Sequence, residues 1–243
     1  MRLLVSVRSA LEVAPAVAGG AEIVDAKEPS AGSLGAVSLP ALRAIARRLP
    51  PGIPLSVALG DPVGVAAVGG AIASLDELQP RPVGVYVKLG LAAARDLAGA
   101  RALVAGAVEA AGRSTLRPAV IVVAYADYER AGTPAPSTVS RLAASVGARG
   151  VLLDTYLKDG RDLFRHVGDA ELAEWIADAK GAGLLVALAG SLSVEGVRRA
   201  AELPADIVGV RGAACDGGRE GRVTEERVRA LESVLRRECS PPA

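Results

Sequence analysis

Aromatic side chains are nearly missing from these 243 residues: one Trp, one Phe and four Tyr, 2% of the chain. Since 51% of residues are hydrophobic, the core has to be built from Val, Leu, Ile and Ala. Histidine is reduced to His166, which removes most zinc sites and His-based nucleophile schemes. Two cysteines far apart, Cys215 and Cys239, make neither a disulfide framework nor a metal knuckle. Charge of one sign is lacking too: 28 basic residues stand against 27 acidic ones, so no global field steers the chain to nucleic acid or membrane. No apolar run approaches the ~18 residues of a membrane span, and Arg8 interrupts the N-terminal MRLLVSVRSALEV too early for a signal peptide. These absences point to a cytoplasmic, metal-poor protein. With no break in composition, residues 1–239 read as a single domain, and Ser240-Pro241-Pro242-Ala243 as a disordered tail.

Lysine is the most telling scarcity. Of the 28 basic residues only Lys27, Lys88, Lys158 and Lys180 are lysines. Arginine does not give up its proton to become a nucleophile, whereas lysine can. Each remaining lysine therefore has to be asked about individually.

What is present is a repeat of short apolar runs, each followed by an alanine-rich amphipathic stretch. The runs are Leu3–Val7, Glu22–Asp25, Pro54–Leu59, Val83–Lys88, Ala119–Ala124, Gly150–Asp154, Leu184–Ala189 and Asp206–Val210. The helical stretches are Ala10–Ala18, Leu39–Arg48, Val63–Leu75, Ala92–Ala111, Ser137–Val146, Ala170–Lys180, Val194–Ala201 and Glu225–Arg237. Ser38, Asp61-Pro62, Ser137, Asp169, Ser193 and Thr224 stand at or near helix starts as caps. Strands apolar on both faces mean a parallel sheet covered by helices, and eight strand–helix units in ~250 residues close into a (β/α)₈ TIM barrel. An open doubly wound sheet would carry a glycine fingerprint after the first strand, where this chain has Ser6-Val7-Arg8-Ser9.

In such a barrel the chemistry sits at the C-terminal ends of the strands. Lys27 follows the second strand, Lys88 ends the fourth, and Lys158 lies after the sixth. Asp25 and Asp154 end the second and sixth. Asp25 and Lys27, two residues apart, project to one side if the extension continues. Solvated rim charges would account for each of these residues singly; carboxylates beside lysines at equivalent positions favour acid–base work. Asp61 reads as an N-cap, and Lys180 as a cation suited to a helix C-terminus. Phosphate binding is expected from the loops after the last two strands. There Gly190, Ser191, Gly212 and Ala213 offer close backbone approach, and Arg211 a two-pronged grip. Ser33, in Gly32-Ser33-Leu34-Gly35, would cover a second anion. His166 and Trp175 read as incidental, Cys215 as a small buried or rim residue.

A free lysine is deprotonated in roughly one molecule in two thousand at neutral pH, but burial and neighbouring cations favour the neutral amine. Such an amine forms an imine with a carbonyl; loss of the α-proton then gives an enamine able to attack another aldehyde. That is class I aldolase logic on a sugar phosphate, with a phosphosugar isomerase or a non-catalytic phosphometabolite-binding barrel as the rival readings.

The Leu-Leu-Val-Ser opening, Gly19-Gly20-Ala21-Glu22-Ile23-Val24-Asp25-Ala26-Lys27-Glu28-Pro29, the Gly32–Gly35 loop, Tyr86-Val87-Lys88 and Val210-Arg211-Gly212-Ala213-Ala214-Cys215 resemble the (5-formylfuran-3-yl)methyl phosphate synthase family, over essentially the whole chain. The resemblance implies a barrel that condenses two molecules of glyceraldehyde 3-phosphate, with loss of phosphate and water, into a phosphorylated furan aldehyde for methanofuran biosynthesis. It implies Lys27 as the Schiff-base lysine with Asp25 beside it, Lys88 as a second essential lysine, and Asp154 with Lys158 as a proton-transfer pair. It calls for no cofactor. The alanine- and arginine-rich composition suggests a bacterial methylotroph, and helices with buriable outer faces are compatible with a homo-oligomer.

Overall fold

The computed structural model describes residues 1–238; the C-terminal tail expected at 240–243, and Cys239, lie outside them. Eight parallel strands close into a barrel in chain order, β8 returning to pair with β1. They are β1 (Arg2–Val7), β2 (Ile23–Ala26), β3 (Leu55–Ala58), β4 (Val85–Leu89), β5 (Ala119–Tyr125), β6 (Gly150–Asp154), β7 (Leu185–Leu188) and β8 (Ile207–Val210). The expected TIM barrel is the fold observed.

The covering helices are α1 (Val13–Ala18), α2 (Leu39–Ala46), α3 (Val65–Ala73), α4 (Leu97–Arg113), the short α5 (Tyr128–Ala131), α6 (Pro136–Ser145), α7 (Asp169–Gly181), α8 (Val194–Ala201) and α9 (Glu225–Glu238). Two departures from the sequence reading have clear local reasons. The helix expected from Ala92 starts only at Leu97, because Asp96 is its cap, accepting from the Gly99 amide at 2.7 Å. Asp61 is not an N-cap: Gly64, with φ +94°, precedes α3, and the Asp61 carboxylate turns instead to the Ala92 amide at 2.9 Å. A small hairpin, β9 (Cys215–Asp216) with β10 (Arg222–Val223), lies between β8 and α9; its strands are too short to register as periodicity.

Side chains alternate along each strand and so divide between two cores. Leu3, Val5 and Val7 face the helices, whereas Leu4, Ile121, Leu152 and Ile207 fill the barrel lumen. The lumen is not packed evenly. Ala187 on β7, Ala189 just after it and Gly209 on β8 are small, and on that side a cavity of about 320 Å³ opens between the strand ends and Leu4. No helix among the described residues is long and apolar enough to cross a membrane.

Candidate active site

Three of the four lysines meet in that cavity: Lys27, Lys88 and Lys158 all line it, as does Asp154. Lys180 is elsewhere, paired with Asp206 at 3.0 Å. The parallel ladder explains the convergence. The Lys27 amide donates to the Val7 carbonyl at 3.0 Å, so extended backbone continues one residue past β2 and carries the side chain round to the lumen. Ser6, Asp25 and Ser56 stand in register across β1, β2 and β3.

The three amines are not equivalent. Lys88 is held by Asp25 at 2.7 Å, in a pair of which both members are buried. The same Asp25 oxygen accepts from the Ser6 hydroxyl at 2.7 Å. Lys158 is held by Asp154 at 2.8 Å and by the Thr155 carbonyl and hydroxyl at 2.6 and 3.0 Å. The loop presenting Lys158 is fixed by Asp127, whose two carboxylate oxygens accept the Tyr156 and Leu157 amides at 2.6 and 2.9 Å. Lys27 is 7% exposed, yet its amine has no ion-pair or hydrogen-bond partner among the described residues.

The electrostatics follow from that arrangement. Burial lowers the Lys27 pKa to about 7; the charges of Lys88 and Lys158 push the same way, and Asp154 and Asp25 oppose them. Burial alone would raise the Asp154 pKa, but Lys158 and Lys27 bring it down to about 2. Asp25 is likewise lowered against its burial, by Lys88 and Lys27. At neutral pH the site thus holds two ionised carboxylates, Asp154 at the cavity wall and Asp25 buried beside Lys88, and one amine divided between its charged and neutral forms.

At the mouth, Gly190, Ser191, Gly212 and Ala213 line the cavity as expected. Gly190 and Ser191 both have left-handed backbone (φ +109° and +52°). A serine there is uncommon, and such strain accumulates where a backbone is shaped for a ligand. The amides of Ser191, Leu192 and Ser193 have no acceptor among the described residues. They lead directly into α8, whose N-terminus favours an anion.

Two expected phosphate contacts find partners within the protein, although Arg211, like Gly212, lines the cavity. Arg211 is consumed by the fold: its Nη1 and Nη2 donate to the two Glu12 carboxylate oxygens at 2.7 and 3.1 Å. The remaining N–H groups go to the carbonyls of Ser6, Arg219 and Gly221 at 3.0, 3.1 and 2.8 Å. All five donors are used, leaving none for substrate. Ser33 is buried and does not line the cavity; its hydroxyl donates to Tyr125 at 3.3 Å. The sequence reading missed Arg219, which does line the cavity. Among many arginines in a glycine-rich turn, nothing in the sequence distinguishes it.

The Ser33–Tyr125 contact belongs to a cluster that includes Asp61, 3.5 Å from the Tyr125 hydroxyl, and that closes around Gly90. Burial raises the pKa of Asp61 and, together with the Asp61 charge, that of Tyr125. A methyl group at Gly90 would be driven into Asp61 Oδ1 and lie 2.7 Å from the Tyr125 hydroxyl. Gly90→Ala is therefore expected to lower unfolding stability by about 1–3 kcal/mol. Chemical denaturation of Gly90→Ala, Asp61→Ala and the double variant measures this; strict additivity of the two changes would show that the collision is not the cause.

No group of three or more His, Cys, Asp or Glu side chains among the described residues could hold a metal ion. A family model described as 4-HFC-P synthase matches residues 3–232. The chain is 36% identical over 244 residues to the (5-formylfuran-3-yl)methyl phosphate synthase of Methanocaldococcus jannaschii, covering 97% of this chain and 100% of that one. It is 35% identical over 243 residues to the same-named protein of Methanothermobacter thermautotrophicus, covering 97% and 99%. Among solved structures it is similar to phosphoribosyl anthranilate isomerase from Thermus thermophilus, with TM-score 0.64 at 18% identity over 98% of this chain and 99% of that one. A 3-hexulose-6-phosphate synthase gives TM-score 0.62 at 19% identity over 95% and 99%. At these identities the structural likeness shows the barrel alone.

Proposed function

The chain belongs to the 4-HFC-P synthase family, and from that membership we propose that it condenses two molecules of glyceraldehyde 3-phosphate into (5-formylfuran-3-yl)methyl phosphate through an imine on Lys27. The observation that carries the imine is the inequality of the three cavity lysines: two are pinned to aspartates, and the third is buried, unpaired and poised near neutrality. A protonated amine cannot attack a carbonyl. With a pKa of about 7, Lys27 supplies a substantial fraction of free amine at physiological pH.

Attack of the Lys27 amine on the aldehyde carbon forms a C–N bond, and loss of the former carbonyl oxygen as water leaves the imine. Once protonated, the imine nitrogen draws electrons from the adjacent C–H bond, whose proton needs a base facing the cavity. Asp154 lines the cavity and Asp25 does not, so Asp154, relayed by Lys158, is assigned the proton transfers. Asp25, itself fixed by the Ser6 hydroxyl, is assigned the orientation of Lys88. The resulting enamine attacks the second aldehyde, elimination of phosphate and water leads to the aromatic ring, and water hydrolyses the imine, breaking the C–N bond to free the product and the Lys27 amine. The unpartnered amides at the N-terminus of α8 and the Gly212–Ala213 turn are assigned to a substrate phosphate. The relatives' names give the furan aldehyde phosphate as the product; its use in methanofuran biosynthesis, within one-carbon metabolism, is part of the same proposal.

The product separates this reading from a simple aldolase or isomerase on the same barrel. With glyceraldehyde 3-phosphate as sole substrate, a near-ultraviolet band of a furan aldehyde is expected to grow in step with released inorganic phosphate. Conversion to hexose or triose phosphates without that band would assign the site to aldol or isomerase chemistry. Absence of any turnover or borohydride-trapped adduct would leave a binding protein.

A further inference from the structure

Arg219 occupies an unusual place. It sits in the turn between β9 and β10, and its own carbonyl is gripped by Arg211 Nε at 3.1 Å. Arg211 is in turn buried against Glu12, so the backbone beneath Arg219 is anchored to the barrel. From that anchor the Arg219 side chain crosses to the loop after Lys27. There Nη2 donates to the carbonyls of Pro29 and Gly32 at 3.0 and 2.6 Å. That loop is closed on itself by a bond from the Glu28 amide to the Gly35 carbonyl at 2.8 Å, so a hold on two of its carbonyls holds it as a unit. Nε and Nη1 of Arg219 have no acceptor among the described residues, and no carboxylate lies within ion-pair distance of its guanidinium. Only the more distant charges of Asp154 and Glu220 act in its favour, and it stands without a direct ion pair at the rim of a cavity it shares with Gly190, Ser191, Gly212 and Ala213.

We propose that Arg219 is a bridge that phosphate completes: an anion seated on the amides of the Gly190–Ser193 and Gly212–Ala213 loops takes the unused N–H groups of Arg219, whose other N–H groups latch the Pro29–Gly32 loop beside Lys27. The proposal rests on the phosphate reading above and adds to it a coupling between two loops that do not otherwise share a charge. A carbonyl is a weak partner for a guanidinium, and a phosphate dianion a strong one. Seating the anion neutralises and orients the guanidinium, which tightens its hold on Pro29 and Gly32. The phosphate of the bound triose would thereby order the loop adjoining the amine that attacks it.

The experiment uses the full-length protein and inorganic phosphate as the probe, with affinity from calorimetry and loop order from hydrogen–deuterium exchange over residues 28–35. In the unaltered protein, phosphate is expected to slow exchange of that loop. Arg219→Ala should weaken phosphate binding about tenfold or more and remove the slowing even at saturating phosphate. Arg219→Lys keeps the charge but loses the fork; it should bind phosphate within a few-fold of the unaltered protein and still fail to slow the loop. Phosphate binding with no effect on the loop, or full slowing in saturated Arg219→Ala, would overturn the bridge while leaving the phosphate seat in place. Failure of the unaltered protein to bind phosphate at all would overturn both.

Discussion

Lys27→Met is expected to abolish the borohydride-trapped adduct with glyceraldehyde 3-phosphate and to lower turnover by at least ~10³-fold. Lys27→Arg should do the same, because a guanidinium keeps its proton throughout the accessible pH range. An adduct of unchanged mass and yield on either variant would move the nucleophile to Lys88 or Lys158. The pH dependence sharpens the test. Only the neutral amine reacts, so the rate of adduct formation in the unaltered protein should rise with pH and level off above about 7, the pKa that burial gives Lys27. Running the trap with unphosphorylated glyceraldehyde keeps the substrate's own phosphate titration out of the profile. A rate still climbing tenfold per unit at pH 9 would mean an ordinary, solvated lysine.

Stability separates loss of the amine from loss of the fold. Unfolded, Lys27 titrates near its ordinary 10.5; folded, near 7. Between those values the unfolded chain holds a proton that the native chain has released, so native stability rises with pH across that window. Below pH 7 the native protein carries a buried ammonium without a partner, which costs free energy that methionine does not. Lys27→Met should therefore be more stable than the unaltered protein at pH 6, while inactive. A variant that is both inactive and less stable at pH 6 would point to a structural role for the amine.

The eight strands were legible because each is an apolar run of standard length between breakers, and so was the meeting of Lys27, Lys88, Asp154 and Lys158, because barrel topology brings every strand end to one rim. What was not legible depended on side-chain direction. Arg211 follows β8 at the position where phosphate is usually met, and only the coordinates show Glu12 waiting 199 residues earlier in the chain. Glu12 lies within the stretch Ala10–Ala18 read as helical, where nothing in the sequence marks it. Ser33 sits in a loop suited to an anion but turns inward to Tyr125. Asp61 precedes a proline as a cap would, yet binds across the sheet to the Ala92 amide. In each case a local motif was outcompeted by a partner far away in sequence, which no local pattern records.

Arg211→Ala is the second large effect expected, and it is one of stability. The Glu12–Arg211 pair is almost wholly enclosed, with side chains 5% and 3% exposed. Removing the guanidinium leaves the Glu12 carboxylate buried with, among the described residues, only the Arg8 and Val223 amides as donors, at 2.8 and 3.4 Å. An uncompensated buried charge of this kind costs about 3–5 kcal/mol. For a chain of this size that corresponds to a fall of roughly 10 °C in melting temperature. The same change frees the carbonyls of Arg219 and Gly221, so the hairpin carrying Arg219 loses its anchor and phosphate affinity falls with it. Glu12→Ala combined with Arg211→Ala should cost far less than the sum of the single changes, because no charge is then left stranded. Had Arg211 gripped phosphate directly, its removal would weaken binding and leave the denaturation midpoint where it was. That outcome would mean that the guanidinium faces the substrate, and that Glu12 is satisfied without it.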